Sequence, residues 1–173
     1  NDDALCLQRV SSICLPYHVV NPLVFADPIA PHLAASKCHM LLTKELVKKT
    51  ILSSVQSDAD INIIEGVGGW SVPLNKDELL SEAIYELSIP VILVVGIKLG
   101  CLNHAILTYD NIKKMKVPFI GWIANCLDSN TLLINENIDT LNQWIDSPFL
   151  GVVPYKNNSV ETLDISIIHR FLL

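Results

Sequence analysis

Charge is scarce in these 173 residues: Asp, Glu, Lys and Arg supply 17% of the chain against 50% apolar residues. Disordered chains combine high net charge with few apolar side chains, so this composition excludes that class. Basic excess is absent as well, since 12 Lys and Arg face 18 Asp and Glu for a net charge of −6 with His neutral. A nucleic-acid groove needs a basic patch, and none stands out, so no nucleic-acid partner is expected. The cysteines Cys6, Cys14, Cys38, Cys101 and Cys126 are odd in number and form no CxxC pair. That excludes a disulfide framework or zinc knuckle and fits reduced, cytoplasmic thiols. Long apolar runs are missing too. The longest, Pro90 to Ile97, is a strand's length and falls far short of the roughly 20 residues that cross a bilayer, so no membrane partner is expected. No charged stretch precedes an apolar one at the start, so no secretory signal is expected. Asn1 is not a methionine, and the chain is expected to begin inside a longer reading frame.

What is present is a regular alternation. Four apolar runs read as strands: Asp60–Glu65, Pro90–Ile97, Pro118–Asn125 and Phe149–Pro154. The second and third are apolar almost throughout, the pattern of parallel strands covered on both faces. Helical periodicity fills the intervals. Leu42–Val55 sets Leu42, Leu46, Val47, Ile51 and Val55 on one side and Lys44, Lys48 and Lys49 on the other. Glu78–Leu87, Leu102–Met115 and Leu132–Ile145 follow, the last with Ile134, Ile138, Leu141 and Ile145 in one stripe. A last helix is expected over Val160–Leu173. Before Leu41, the prolines Pro16, Pro22, Pro28 and Pro31 predict short helices and loops. Strands alternating with helices predict parallel βαβ units. The expectation is one α/β domain over residues 1–173, a parallel sheet flanked by helices.

Open parallel sheets bind ligands outside the carboxyl ends of their strands, so each strand end is informative. The first expected strand runs into Glu65-Gly66-Val67-Gly68-Gly69-Trp70. A carboxylate there would hold Mg²⁺ beside phosphates, and the glycines permit close backbone approach. The same pattern also describes a tight turn with a solvated Glu. The second ends in Lys98-Leu99-Gly100-Cys101-Leu102-Asn103-His104, where a helix N-terminus after glycine offers free N–H groups to an anion. Asn103 as a plain helix cap and Cys101 as a packing residue explain it equally. The third ends in Ala124-Asn125-Cys126, and an Asn side chain presents the donor and acceptor that an adenine edge requires, although Asn is also an ordinary turn former. The fourth is followed by Pro154-Tyr155-Lys156, a loop able to cover a base. At the front, Asp2 or Asp3 is expected to cap a helix.

In series, Asp3-Ala4-Leu5, Val20-Asn21-Pro22, Pro31-His32, Glu65-Gly66-Val67-Gly68-Gly69-Trp70, Lys98-Leu99-Gly100-Cys101-Leu102-Asn103-His104-Ala105 and Gly121-Trp122-Ile123-Ala124-Asn125 resemble the dethiobiotin synthetases over essentially the whole chain. The resemblance implies a P-loop NTPase-like fold of the Rossmann-type three-layer kind. It implies an ATP- and Mg²⁺-dependent ligase of biotin biosynthesis, working in the cytoplasm as a homodimer. That enzyme joins CO2 to 7,8-diaminopelargonate: one amine becomes a carbamate, ATP phosphorylates it, and the second amine displaces phosphate to close the ring. By the same resemblance, Asp3 and Glu65 ligate Mg²⁺ on the ATP phosphates, and Gly66, Val67 and Gly68 approach the nucleotide by backbone. Asn125 and Cys126, with the loop Pro154, Tyr155 and Lys156, take the adenine. Gly100, Cys101 and Asn103 receive the substrate carboxylate across the dimer interface.

The phosphate-binding pattern GxxxxGK[ST] occurs nowhere in these residues. The resemblance places it, with its strand and the lysines that meet substrate, ahead of Asn1. No residue present is therefore assigned a catalytic role, and the chain alone is expected to bind ATP poorly and to be inactive. Three other readings remain: a related amide-forming synthetase, a non-catalytic nucleotide switch, and a truncated chain serving as dimer partner. The switch reading calls for a basic anchoring helix, and Val160–Leu173, with Glu161, Asp164, His169 and Arg170, is not a basic amphipathic anchor.

Overall fold

The computed structural model describes residues 1–156 and 163–167. Its backbone gathers into two compact units, Asn1–Leu87 and Ser88–Leu173.

The first unit is helical. α1 spans Asp2–Val10, α2 Tyr17–Val20, α3 Pro31–Lys37, α4 Lys44–Ser54 and α5 Leu80–Glu86. The proline-rich front gives short helices, as its composition predicts, with Pro16 preceding α2 and Pro31 in the first turn of α3. The cap of α1 differs from expectation. Asn1, rather than Asp2 or Asp3, takes the position, its side chain accepting from the Ala4 amide at 3.2 Å. The two acids sit inside the first turn, where the positive end of the helix dipole favours them. α4 starts at Thr43, whose hydroxyl accepts from the Leu46 amide at 3.1 Å. Its apolar stripe meets α5: Ala35, Leu42, Val47, Leu74 and Ala83 are buried together, with Leu46, Ile51 and Leu80 packed against them. Lys44 and Lys48 do not point freely to water. Both reach Glu86 of α5, at 2.8 and 2.7 Å, and Lys48 also meets Glu45 at 2.8 Å.

Residues 60–65 are not a strand. The segment is irregular, and Ile61, Ile63 and Ile64 are 45, 84 and 41% exposed. Alternating apolar residues supply the side chains a strand needs, but a strand also needs a neighbour for its N–H and C=O groups. Among the described residues none pairs with this segment.

The second unit follows the predicted alternation. β1 spans Val91–Ile97, α6 Cys101–Met115, β2 Phe119–Cys126, α7 Ile134–Trp144 and β3 Phe149–Val153. The strands lie in the order β1-β2-β3, all parallel. Val95, Ile97, Trp122 and Ala124 turn one sheet face to Ala105 and Tyr109 of α6 and to Ile138 and Leu141 of α7. The Tyr109 hydroxyl donates to the Asp146 carbonyl at 3.1 Å, and Trp122 packs on Phe149 with ring centres 4.5 Å apart. β2 and β3 approach so closely at Gly121 that an added Cβ would lie 2.4 Å from the Pro148 carbonyl oxygen. The helix expected over Val160–Leu173 falls largely outside the described residues. Within 163–167, Leu163 bridges antiparallel to Gly151, followed by a short 3-10 turn.

Candidate functional site at the strand ends

The parallel register decides what meets at the carboxyl edge of the sheet. Asn125 pairs with Gly96 of β1 on one side and Val153 of β3 on the other, while Ile97 pairs with Cys126. The loop at Pro154, Tyr155 and Lys156 therefore starts one residue beyond a direct neighbour of Asn125. These candidate residues, far apart in sequence, share one edge as parallel pairing requires.

Asn125 is half-buried, and among the described residues its side-chain amide makes no hydrogen bond. Such a group has one donor face and one acceptor face to offer a ligand. Cys126 beside it is buried, and burial pushes its thiol up, so it stands as a neutral packing group. Pro154 is half-buried, and the Lys156 ammonium lies 5.1 Å from the centre of the Tyr155 ring. Lys156 has a positive φ of 54°, which bends the chain just past the sheet.

α6 opens at Gly100, whose φ of 91° is a left-handed conformation suited to glycine. The Cys101 amide already donates to the Lys98 carbonyl at 2.9 Å, and the His104 amide begins the helix ladder at 3.2 Å to Gly100. Among the described residues, the amides left open at this end are those of Leu102 and Asn103. Cys101 is 3% exposed and packs into the core, whereas the Asn103 side chain is exposed. Asn103 is the third residue of the helix rather than its cap. The positive end of the α6 dipole and two free amides offer hydrogen-bond donors that an anion can use.

Asp3 and Glu65 both lie in the first unit. Asp3 is in the first turn of α1 and Glu65 in the irregular segment before Gly66, and both are exposed. Among the described residues neither side chain has an ion-pair or hydrogen-bond partner. The Glu65–Gly69 turn relies on glycine at its end, with φ of 74° at Gly68 and 101° at Gly69. Val67 stands 59% exposed. No group of three or more metal-ligating side chains assembles among the described residues. Magnesium beside phosphates needs only one or two carboxylate oxygens, and by charge and exposure each of Asp3 and Glu65 can supply one, although no contact among the described residues joins the two.

Two features escaped the sequence. Asn75 closes the turn ahead of α5: its carbonyl oxygen accepts from the Asp77 and Glu78 amides at 2.9 and 3.1 Å, and its NH2 donates to the Leu42 carbonyl at 2.8 Å. An open pocket of about 400 Å³ lies nearby, lined by His32, Ser36 and His39 over Leu42 and Leu74. The four-residue spacing of His32 and Ser36 places them on one face of α3, which was the available signal. None of the candidate ligand residues lines that pocket.

Comparison with known proteins identifies the family. The family described as AAA domain matches residues 1–162. The ATP-dependent dethiobiotin synthetase BioD of Aeromonas salmonicida is 43% identical over 171 residues, covering 96% of this chain and 76% of that protein. The protein of the same name from Cellvibrio japonicus is 44% identical over 154 residues, covering 89% and 67%. That of Wigglesworthia glossinidia brevipalpis is 34% identical over 172 residues, covering 99% and 74%. With an α/β unit built on a parallel sheet, a matching AAA domain family and identity spread along its length, the chain belongs to the ATP-dependent dethiobiotin synthetases.

Proposed function

We propose that this protein is an ATP-dependent cyclo-ligase of biotin biosynthesis that makes dethiobiotin from 7,8-diaminopelargonate and CO2. The observation that carries the reading is the carboxyl edge of the sheet. An unpartnered Asn125 and the anion-accepting start of α6 lie at the ends of adjacent strands. One suits a base edge and the other a carboxylate.

In this reading Asn125, with Cys126 packed beside it and Pro154, Tyr155 and Lys156 above, holds adenine. Asp3 and Glu65 would hold Mg²⁺, which neutralises charge on the ATP phosphates when bound. Gly66, Val67 and Gly68 would meet the nucleotide through their backbone, the two glycines permitting close approach. The open amides behind Gly100, with Cys101 anchoring the turn and Asn103 offering its side chain, receive the carboxylate of the diamine. Two copies of the chain pair, so that this helix end serves the site of its partner. The 173 residues act as one α/β domain in the cytoplasm.

The chemistry asks little of the protein beyond position and charge. One amine of the substrate adds to CO2 and loses a proton to give a carbamate. The carbamate oxygen takes the terminal phosphoryl group of ATP, releasing ADP. The second amine then attacks the activated carbonyl carbon, closing the ring and expelling phosphate. Fixing both ends of a long diamine turns the last step into an intramolecular reaction, which is where positioning accelerates most. Oriented amides, together with a Mg²⁺ that Asp3 and Glu65 would hold, would stabilise the negative charge on the transferring phosphoryl group.

The test supplies the full-length protein with 7,8-diaminopelargonate, bicarbonate and Mg·ATP and measures dethiobiotin by mass. One ADP per dethiobiotin is expected, with Asn103→Ala raising KM for the diamine and Glu65→Gln raising the Mg²⁺ requirement. ATP hydrolysis indifferent to the diamine, with no ring-closed product, would favour a nucleotide switch and end the ligase reading.

A further inference from the structure

The sheet face carrying Asn125 has a notch in it. Val95 and Ile97 face the helices, so by alternation Val94 and Gly96 face the other way, with Ile123, Asn125 and Val153 alongside in register. Gly96 is directly opposite Asn125 and contributes no side chain. The space is not empty. A Cβ built on Gly96 would lie 2.7 Å from Cδ1 of Leu127 and 3.4 Å from its Cγ. Leu127, two residues beyond Asn125, folds back diagonally across the strand pair and occupies the position of the missing side chain.

This arrangement has a consequence for Asn125. Its register partner on one side is Gly96, on which the Leu127 isobutyl group is seated, and on the other half-buried Val153. Leu127 remains 46% exposed, so it lines the surface rather than filling the core. An unpaired amide between two aliphatic walls matches a flat heteroaromatic ring, whose faces take apolar contact while its edge takes hydrogen bonds.

We infer that Leu127, held in the notch left by Gly96, is a positioning residue that forms the apolar wall of the base subsite and fixes how Asn125 meets the adenine edge. The inference rests on Asn125 reading adenine. It assigns the choice of glycine at position 96 to nucleotide binding: any Cβ there would push Leu127 toward the base.

Steady-state kinetics on the full-length protein test it through a double-variant cycle. Leu127→Ala removes the wall, and about a tenfold rise in KM for ATP is expected, with kcat and KM for the diamine within twofold. Gly96→Ala is expected to raise KM for ATP severalfold by displacing Leu127. In the Leu127→Ala background the same change has room, so it is expected to add less than twofold. Leu127→Val, which trims one carbon, gives a second measure, with a rise of about threefold expected and no loss of folded protein. Asn125→Asp, measured for ATP against GTP, reports on the underlying assignment. If Asn125→Asp relaxes adenine preference while the Leu127 variants leave KM for ATP within twofold, the wall is refuted and the adenine assignment stands. If all KM values and kcat move together in Leu127→Ala, the residue is structural only and the inference fails. If Asn125→Asp leaves the ATP-to-GTP preference unchanged, the adenine assignment falls and the wall with it.

Discussion

Gly100 offers a sharp test of how α6 is aimed. Its φ of 91° and ψ of −5° lie in the left-handed region, and an added Cβ would meet nothing within 4 Å. Gly100→Ala therefore costs backbone strain alone, about 1–2 kcal/mol for a side-chain-bearing residue held there. Restricting the unfolded chain returns about 0.4–1 kcal/mol, so the net loss is on the order of 1 kcal/mol. In a chain of this size that corresponds to a fall in Tm of about 2–4 °C. Asn tolerates this conformation better than Ala, and Gly100→Asn is expected to lose roughly half as much. Urea melts of the three proteins, followed by circular dichroism, measure this with an unchanged dependence on denaturant. The same substitution tilts the Leu102 and Asn103 amides, so KM for the diamine rises in Gly100→Ala. If Gly100→Asn proves as costly as Gly100→Ala, the loss is steric and the strain argument is wrong.

Gly121 is the opposite case, since its backbone is ordinary and its surroundings are closed. Gly121→Ala sets a methyl 2.4 Å from the Pro148 carbonyl oxygen, the same atom that accepts from the Trp122 amide at 3.0 Å. Overpacking and a weakened hydrogen bond together predict a loss of about 2–4 kcal/mol in the same urea assay, and a change under 0.5 kcal/mol would show that β3 shifts freely. Acid sensitivity is expected to trace to Glu86, whose carboxyl is held down from 4.5 to about 2 by hydrogen bonds from Lys44 first and Lys48 second. Because the folded value is depressed, its contribution is complete above about pH 4.5 and fades as pH falls toward 2. Glu86→Gln should flatten Tm against pH in that window, and an unaltered slope would assign the acid response elsewhere.

The sheet unit was legible because two independent signals agreed along it. Val91–Ile97 and Phe119–Cys126 are apolar on both alternating sets of positions, and the stripe Ile138–Leu141–Ile145 repeats at helical spacing. Either signal alone admits a helix or a strand; together with intervals long enough for a crossover they leave parallel pairing. The polar residues at the strand ends were legible for a related reason. An Asn or a glycine immediately after a buried run has no place in the core, so it marks where the chain meets solvent or ligand. Asn125 and Gly100 are read from that interruption.

What stayed hidden depends on partners rather than on local pattern. Residues 60–65 carry a strand's side chains, yet strand formation is a property of two chains in register, and Ile63 stands 84% exposed without one. Asn1 outranks Asp2 and Asp3 as the α1 cap because the helix begins one residue earlier, a difference no propensity separates. The Glu86 cluster joins residues of α4 and α5 that are about 40 positions apart, as the 38-residue separation of Lys48 and Glu86 shows. The Leu127 notch is hidden most deeply. Gly96 reads as a blemish in an apolar strand and Leu127 as a loop residue, and only the register that sets Gly96 opposite Asn125 turns the pair into one wall. The same register brings Gly96, Asn125 and Val153 together at one sheet edge. The residues that identify this chain as a dethiobiotin synthetase are therefore visible in sequence, whereas those that tune how tightly it holds its nucleotide become visible only once the strands are paired.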